Sequence, residues 1–263
     1  MRVVRVTDSN RARYMEQIVA LETKVRYPLG QDFFTIDHGP DYFAFFRRLG
    51  EHHAFVAVEG DEVLAVASGI LRQLPRRCWY LCDLKVRPDR RGERIPLRML
   101  SRVFRPRYLR CPRGYAISMN PGDGSPNRVV KLVSKFRWAR SSVGAQLQLY
   151  SLDAKAMAEV APLVAQHRGA LGYLSLRGRK DLLLASTGAP MPLLHVQFGP
   201  TAERGEGVSR EPRADHAHMF CTPESDPLHR DLLARGFAPS ATASLIQHRM
   251  PESDWTAILT SDI

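Results

Sequence analysis

Apolar residues along the chain switch between two periods. Val3, Val4 and Val6 read as a short strand. Beyond Asn10, a helix-capping residue type, Tyr14, Ile18, Leu21 and Val25 recur at intervals of three and four, the spacing of one helix face. Residues 26–40 carry the breakers Pro28, Gly30, Gly39 and Pro40 and read as a loop. Asp41 opens a second helix, Tyr42-Phe43-Ala44-Phe45-Phe46, ended by Gly50. The period then becomes two. Residues 54–58 and 63–71 are strands joined by a tight turn at 59–62, and residues 78–86 form the fourth strand of the chain. A loop over 87–92 feeds a helix carrying Ile95, Leu97, Met99, Leu100 and Val103. Residues 114–119 are a fifth strand. Ser125-Pro126-Asn127 opens a further helix, with Ser125 as cap and Pro126 in its first turn, and residues 145–152 close the series with a strand.

The remainder repeats this order in reduced form. It has a helix over 154–167, strands near 172–176, 181–185, 192–198 and 216–221, a helix over 226–235 and a last strand over 243–250. Residues 201–213 are polar and breaker-rich and read as a loop. Helices alternating with strands in this way define an α/β (α+β) layered architecture.

Composition narrows the picture. With 263 residues, 44% hydrophobic and 25% charged, the chain can bury the core of one large domain or two small ones. It has no apolar run long enough for a transmembrane helix, and its charged start lacks the features of a signal peptide. Four cysteines (Cys78, Cys82, Cys111 and Cys221) are too few for a disulfide scaffold of this length. The expected setting is the reducing cytoplasm. Cys78 and Cys82 share a strand face without a second pair at ligand spacing. His216, His218 and Cys221 do not share one, so no metal site is expected.

The net charge is +11, and its distribution says more than its total. Between Arg87 and Arg113 stand ten arginines, opposed only by Asp89 and Glu93. Such a field attracts a phosphate-bearing small molecule, an acidic carrier protein or nucleic acid. Nucleic acid is the weakest of these, since no helix-turn-helix, zinc-finger or aromatic RNA-binding signature accompanies the arginines. The loop after the fourth strand also directs helix N-terminal amides and arginines to one spot, the physical recipe for binding phosphate.

At these residues the chain resembles the GNAT superfamily of N-acyltransferases. The resemblance spans roughly residues 1–150 and is sharpest over 54–100 and 114–138. The apolar-x-Val end of the family's fourth strand corresponds to Leu84-Lys85-Val86, and Pro88-Asp89-Arg90-Arg91-Gly92 follows. The family's pyrophosphate loop, Gln/Arg-x-x-Gly-x-Gly/Ala, corresponds to Arg91-Gly92-Glu93-Arg94-Ile95-Pro96. Arg91 is kept, whereas Arg94 and Pro96 replace the two small residues. The first brings bulk with a bidentate phosphate donor; the second lacks an N–H that a first helical turn leaves free anyway. Asn127 corresponds to an Asn near the pantetheine arm, and Lys135-Phe136-Arg137-Trp138 to the end of the late helix. The Tyr that serves as acid in many members falls at Val133 or Ser134, so that acid is missing. Leu232-Leu233-Ala234-Arg235-Gly236-Phe237 resembles the same late helix and its Gly-Phe in the second half.

The resemblance implies a mixed, mostly antiparallel sheet splayed after the fourth strand and flanked by helices. It implies a GNAT acyltransferase domain over 1–152 and a degenerate GNAT-like unit over 153–263. Acyl-CoA would be the co-substrate, held by Leu84, Lys85, Val86, Arg91, Gly92, Glu93, Arg94, Ile95, Pro96 and Asn127. Candidate catalytic residues are Tyr80 and Cys82, which strand alternation places toward the groove, and Asp83, the only carboxylate on the strand. Alternation turns Asp83 to the other face, where a neighbour such as Arg87 would pair with it. Two bland roles stand beside these: Cys82 as a small core residue and Tyr80 as half-buried core. His38, amid Phe33, Phe34, Tyr42 and Phe45, lies where an acceptor pocket is shaped, or simply packs. His52 and His53 read as surface. Two classes of function remain open: an acyl-CoA-dependent N-acyltransferase acting on an unidentified amine, or a non-catalytic binding or regulatory module. A carrier protein as acyl donor is a variant of the first.

Overall fold

The computed structural model describes residues 1–263 except Pro75, Leu109, Gly124, Pro126, residues 136–139, Glu206, Pro251 and Glu252, and leaves aside the side chains of residues 104–108. Its elements, in chain order, are β1 (Arg2–Val6), α1 (Arg11–Glu22), β2 (Tyr27–Leu29), β3 (Asp32–Asp37), α2 (Ala44–Arg48), β4 (Glu51–Glu59), β5 (Glu62–Gln73), β6 (Arg77–Val86), α3 (Ile95–Tyr108) and β7 (Gly114–Met119). There follow α4 (Arg128–Ser134), β8 (Ser141–Leu152), α5 (Ala154–Arg168), β9 (Gly172–Leu174), β10 (Asp181–Leu184), β11 (Leu193–Gln197), β12 (Val208–Ser209), β13 (Ala217–Pro223), α6 (Pro227–Ala234) and β14 (Ala241–His248).

One eleven-stranded sheet runs through the molecule in the order β1-β4-β5-β6-β7-β14-β8-β13-β11-β9-β12. Its pairs are antiparallel except β6 with β7 and β11 with β13. The fold is therefore the mixed, mostly antiparallel, helix-flanked sheet that the resemblance implied. Among the described residues, no helix is long and apolar enough to cross a membrane.

The centre of the sheet carries an exchange. β14, from the end of the chain, lies between β7 and β8 and pairs antiparallel with both. β8 in turn pairs with β13 of the second half. The order reads alike from either side of the β14–β8 pair: two antiparallel strands, then a parallel pair that opens after three residues. β6 and β7 are paired only over Trp79–Leu81 and Gly114–Ala116. β11 and β13 are paired only over Leu193–His195 and Ala217–Met219. The second opening holds the chain's own segment. Cys221 Sγ donates to the Ile258 carbonyl at 3.3 Å, Thr260 Oγ1 to the Met219 carbonyl at 2.9 Å, and Gln197 Nε2 to Ser261 Oγ at 3.2 Å. Residues 258–261 thus bridge β11 and β13 where their own pairing ends.

Three local expectations are corrected. Residues 26–40 are not simply a loop: β2 and β3 form a hairpin that pairs with β10 of the second half in a separate three-stranded sheet. The breakers suggested a loop, and the strand β10 that pairs with β3 lies far away in sequence. The second helix is only Ala44–Arg48. Asn127, not Ser125, caps α4, its side chain accepting from the amides of Val129 and Val130. Lys135 follows α4 as its C-cap, while residues 136–138 lie outside the described residues.

The main core fills one face of the first-half sheet, where Tyr14, Ile18, Tyr42, Phe45, Phe46 and Tyr80 pack together. α3 covers the opposite face with Ile95 and Met99 against Phe55, Ala57 and Ala65. α5 and α6 cover Tyr150, Phe220, Leu194 and Val196 in the second half.

Candidate active site

β6 determines the site through a bulge. Ser68 of β5 faces Cys82 and Val66 faces Lys85, so Ala67 alone opposes Asp83 and Leu84. Asp83 takes up the extra residue with φ +57°, a left-handed conformation that is uncommon for a side chain other than glycine. The bulge overturns simple alternation. Asp83 turns to the inner face, the one carrying Tyr80 and Cys82, while Leu84 is 51% exposed.

Asp83 does not pair with Arg87, which binds Glu62 and Asp89 instead. Its partners are Lys85 Nζ and Tyr42 Oη, the latter at 2.7 Å. Lys85 Nζ also lies 2.6 Å from Glu22 Oε2, at the end of α1, and 3.2 Å from Tyr42 Oη. His38 Nε2 approaches the same Glu22 oxygen at 3.6 Å, and its other nitrogen meets the Arg179 carbonyl at 3.3 Å. Ser68 Oγ connects Asp83, at 3.4 Å, to His52 Nε2, at 3.0 Å. One cation thus stands between two carboxylates in a nearly dry site. Burial drives the Glu22 carboxyl up, but His38 and Lys85 outweigh it and hold the pKa below its usual value. Burial opposes the charge on Lys85, yet Asp83 and Glu22 raise its pKa. Burial lowers His52 to about 4, so this ring is neutral. His52 and His53 lie within β4, and His53 is buried, contrary to the surface position expected for the pair.

Of the other strand candidates, Tyr80 is more deeply set than expected, while Cys82 is half-buried. Tyr80 is 3% exposed and stacks on Tyr115 with ring centroids 4.8 Å apart. Burial pushes both the Tyr80 hydroxyl and the Cys82 thiol well above their ordinary pKa values. Neither is an acid or nucleophile activated near neutral pH.

At the far end of β6 a turn of 3-10 helix, Pro88–Arg90, leads into α3. Arg91, Gly92, Glu93 and Arg94 are exposed, and Ile95 is buried as the first helical residue. Gly92 has φ +93° and Arg94 φ +58°. Two positions of the loop thus hold left-handed backbone, where glycine is at ease, and one of them carries an arginine. Arg91 and Arg94 form no ion pair among the described residues, whereas Arg90 is held by Glu59 and Glu93. Pro96 sits at the second helical position, where its missing N–H leaves no bond unmade.

β6 and β7 run parallel, so α3 and α4 both begin at the end where the two strands diverge. Beyond Leu81, the β6 backbone groups directed toward β7 have no strand partner. Asn127 stands on the β7 side. Its amide nitrogen donates to the Ser118 and Met119 carbonyls and to Asn120 Oδ1, while its oxygen caps α4. That side chain is fully engaged in tying α4 to β7.

The structure thus gathers Tyr80, Cys82, Asp83 and Lys85 on one face and Arg91–Pro96 at the strand's end. Glu22, His38 and Tyr42 complete the inner cluster. Glu22 gave no sequence signal as a member, since it sits in an ordinary amphipathic helix and meets β6 only through the fold.

No protein-family model matches the chain. An uncharacterized protein of Acanthamoeba polyphaga mimivirus is 19% identical over 235 residues, which cover 85% of this chain and 68% of that protein. Among solved structures, a tandem GNAT protein from the clavulanic acid biosynthesis pathway is similar at a TM-score of 0.49 and 14% identity, covering 96% of this chain and 100% of that one. A conserved protein of unknown function from Enterococcus faecalis, described as a probable N-acyltransferase, has a TM-score of 0.44 and 9% identity, covering 95% of this chain and 73% of that one. An aminoglycoside 6'-N-acetyltransferase complexed with coenzyme A has a TM-score of 0.38 and 14% identity, covering 59% and 90% respectively.

Proposed function

We propose that this chain is an acyl-CoA-dependent N-acyltransferase, most simply an acetyltransferase, acting in the cytoplasm and built as a GNAT acyltransferase unit over 1–152 with a degenerate companion over 153–263. One observation carries the reading. The parallel pair β6–β7 opens just where β6 bulges, beside a loop bearing two unpaired arginines. An extended thioester arm needs such an opening, and its phosphates need such a loop.

In this reading Arg91, Arg94 and the amides of Gly92, Glu93, Arg94 and Ile95 receive the pyrophosphate, and Pro96 ends the cradle without obstructing it. The backbone of Leu84, Lys85 and Val86 runs beside the arm and supplies the N–H that meets the thioester oxygen. Asn127 supports the opposite wall. The neutral acceptor amine attacks the acyl carbon, the C–S bond breaks, and the leaving thiolate takes the proton that the attacking nitrogen gives up. Asp83, fixed by Lys85 and Tyr42, sets the bulge and the field at the acyl carbon, with Tyr80 and Cys82 as its floor. Rate then rests chiefly on positioning and oxyanion stabilisation.

Calorimetric titration with acetyl-CoA and free CoA tests the reading. Wild type binds both, and Arg91→Ala weakens binding by about 1.5–3 kcal/mol, the worth of a hydrogen bond to a charged group. An unchanged affinity removes Arg91 from the site, and absence of binding removes the reading. A non-catalytic CoA-binding module is the second reading, favoured by the deep burial of Tyr80 and the raised pKa of Cys82. CoA binding without thiol release in the presence of amines selects it.

A further inference from the structure

The second half sends a lysine into the core beside the first half's inner cluster. Residues 175–180 lead into β10, whose pairing with β3 fixes them against residues 38 and 39. His38 meets the Arg179 carbonyl, and Gly39 packs so closely on Gly178 that a Cβ there would overlap its carbonyl oxygen. Lys180 follows directly and is 8% exposed. Its Nζ lies 4.8 Å from the centre of the Phe45 ring and makes no hydrogen bond or ion pair among the described residues.

The charged and titratable groups around Lys180 come from every neighbouring element: Arg48 of α2, Glu22 of α1, Cys82 of β6, His195 of β11 and Asp262. Their charges are largely committed elsewhere. Glu22 is held by Lys85, Asp262 by Arg72 at 3.0 Å, and Arg48 by Glu203 and the Ser261 carbonyl. His195 contributes a bare acceptor. Thr260 gives its hydroxyl proton to Met219, so the 3.0 Å contact to His195 Nδ1 is a donation from the ring. Nε2 then carries a lone pair, and it is buried without a hydrogen-bond partner among the described residues.

We propose that Lys180 takes up the proton of the acceptor amine, so that the second half completes the active site of the first. This rests on the acyltransferase reading above and adds the group that reading lacks. The incoming ammonium gives one proton to the Lys180 amine, leaving a neutral amine and Lys180 as an ammonium. The neutral nitrogen bonds to the acyl carbon, the C–S bond breaks, and the thiolate receives a proton from the attacking nitrogen. The lysine then releases its proton to water. Burial and the positive charge of Arg48 lower the lysine to about 7, so much of it is in the proton-accepting form at neutral pH.

Two measurements on the full chain test this. In lysine-labelled protein followed by NMR, one of the lysine side chains titrates near pH 7, and its signal is missing in Lys180→Met. With acetyl-CoA as donor and tryptamine, glycinamide and poly-lysine as acceptors, wild-type kcat/KM rises through a limb near that pH. Lys180→Met and Lys180→Arg lose the limb and fall by about 10²-fold with CoA affinity unchanged. All lysines titrating above about pH 9, a retained limb in Lys180→Met, or no turnover despite CoA binding each overturns the proposal. Failure of acetyl-CoA to bind removes the acyltransferase reading instead, while the NMR titration still reports on Lys180 itself.

Discussion

Lys85 is the residue on which the inner cluster turns, because it bridges Glu22 and Asp83 beneath the bulge. Removing one partner of a buried ion pair leaves an uncompensated charge, which costs about 3–5 kcal/mol. Lys85→Met should therefore lower stability by that amount in urea denaturation; a loss below about 1 kcal/mol would show that the cluster is not structural. The lowered pKa of Glu22 fixes the sign of the accompanying pH effect. A carboxylate depressed in the folded state adds stability above its unfolded pKa, and that stability is lost as pH falls through the folded value. Wild type should thus weaken on acidification below about pH 4.3, the ordinary carboxylate range, more than Glu22→Gln does. Arg94 presents the opposite case. It holds a left-handed backbone at φ +58°, which costs a residue with a Cβ about 1–2 kcal/mol relative to glycine. Arg94→Gly should raise the melting temperature. Tighter CoA binding in that variant would mark Arg94 as an obstruction, and weaker binding would mark it as a ligand.

Between elements, the informative contact is the clasp of β10 and its preceding turn on β3 and the residues after it. Gly39, at φ +65°, allows both the turn and the close approach to Gly178. A methyl group there meets backbone that cannot step aside, and it adds the strain of a positive φ. Gly39→Ala should cost about 1–3 kcal/mol, and it should also disturb the environment of Lys180, read as a shift of that lysine's titration. A stable variant with an unmoved lysine would show that the clasp is slack. β6 makes the matching point within a strand, since one bulged residue carries Asp83 across the sheet and brings it to Lys85 and Tyr42.

Across the whole molecule, the exchange of β8 and β14 binds the two chain halves more firmly than their order suggests. Without β14, β7 and β8 lose their shared partner, and the middle of the sheet becomes two unpaired edges. Residues 1–152 expressed alone should fail to give a cooperative thermal transition. The two pieces refolded together should restore one. A separately folded 1–152 fragment with near-native melting would mean that the central pairing adds little.

The succession of helices and strands was legible from local pattern, because period and turn chemistry reside in neighbouring residues. Residues 114–119 form a strand as their spacing indicates, and the hairpin over 54–71 stands where the period changes to two. The arginine-bearing loop was legible for the same reason: Arg91 to Pro96 are consecutive, and the helix that orders them begins among them. Tertiary structure alone decided the rest. The bulge at Asp83 arises from register against β5, the distant partners of Lys85 come from α1 and from the turn before α2, and Lys180 arrives from the second half ahead of β10. Strand exchange is likewise absent from local sequence, since β14 resembles any short apolar strand until its neighbours are known. Each of these features depends on contacts between residues far apart in the chain, which periodicity does not encode.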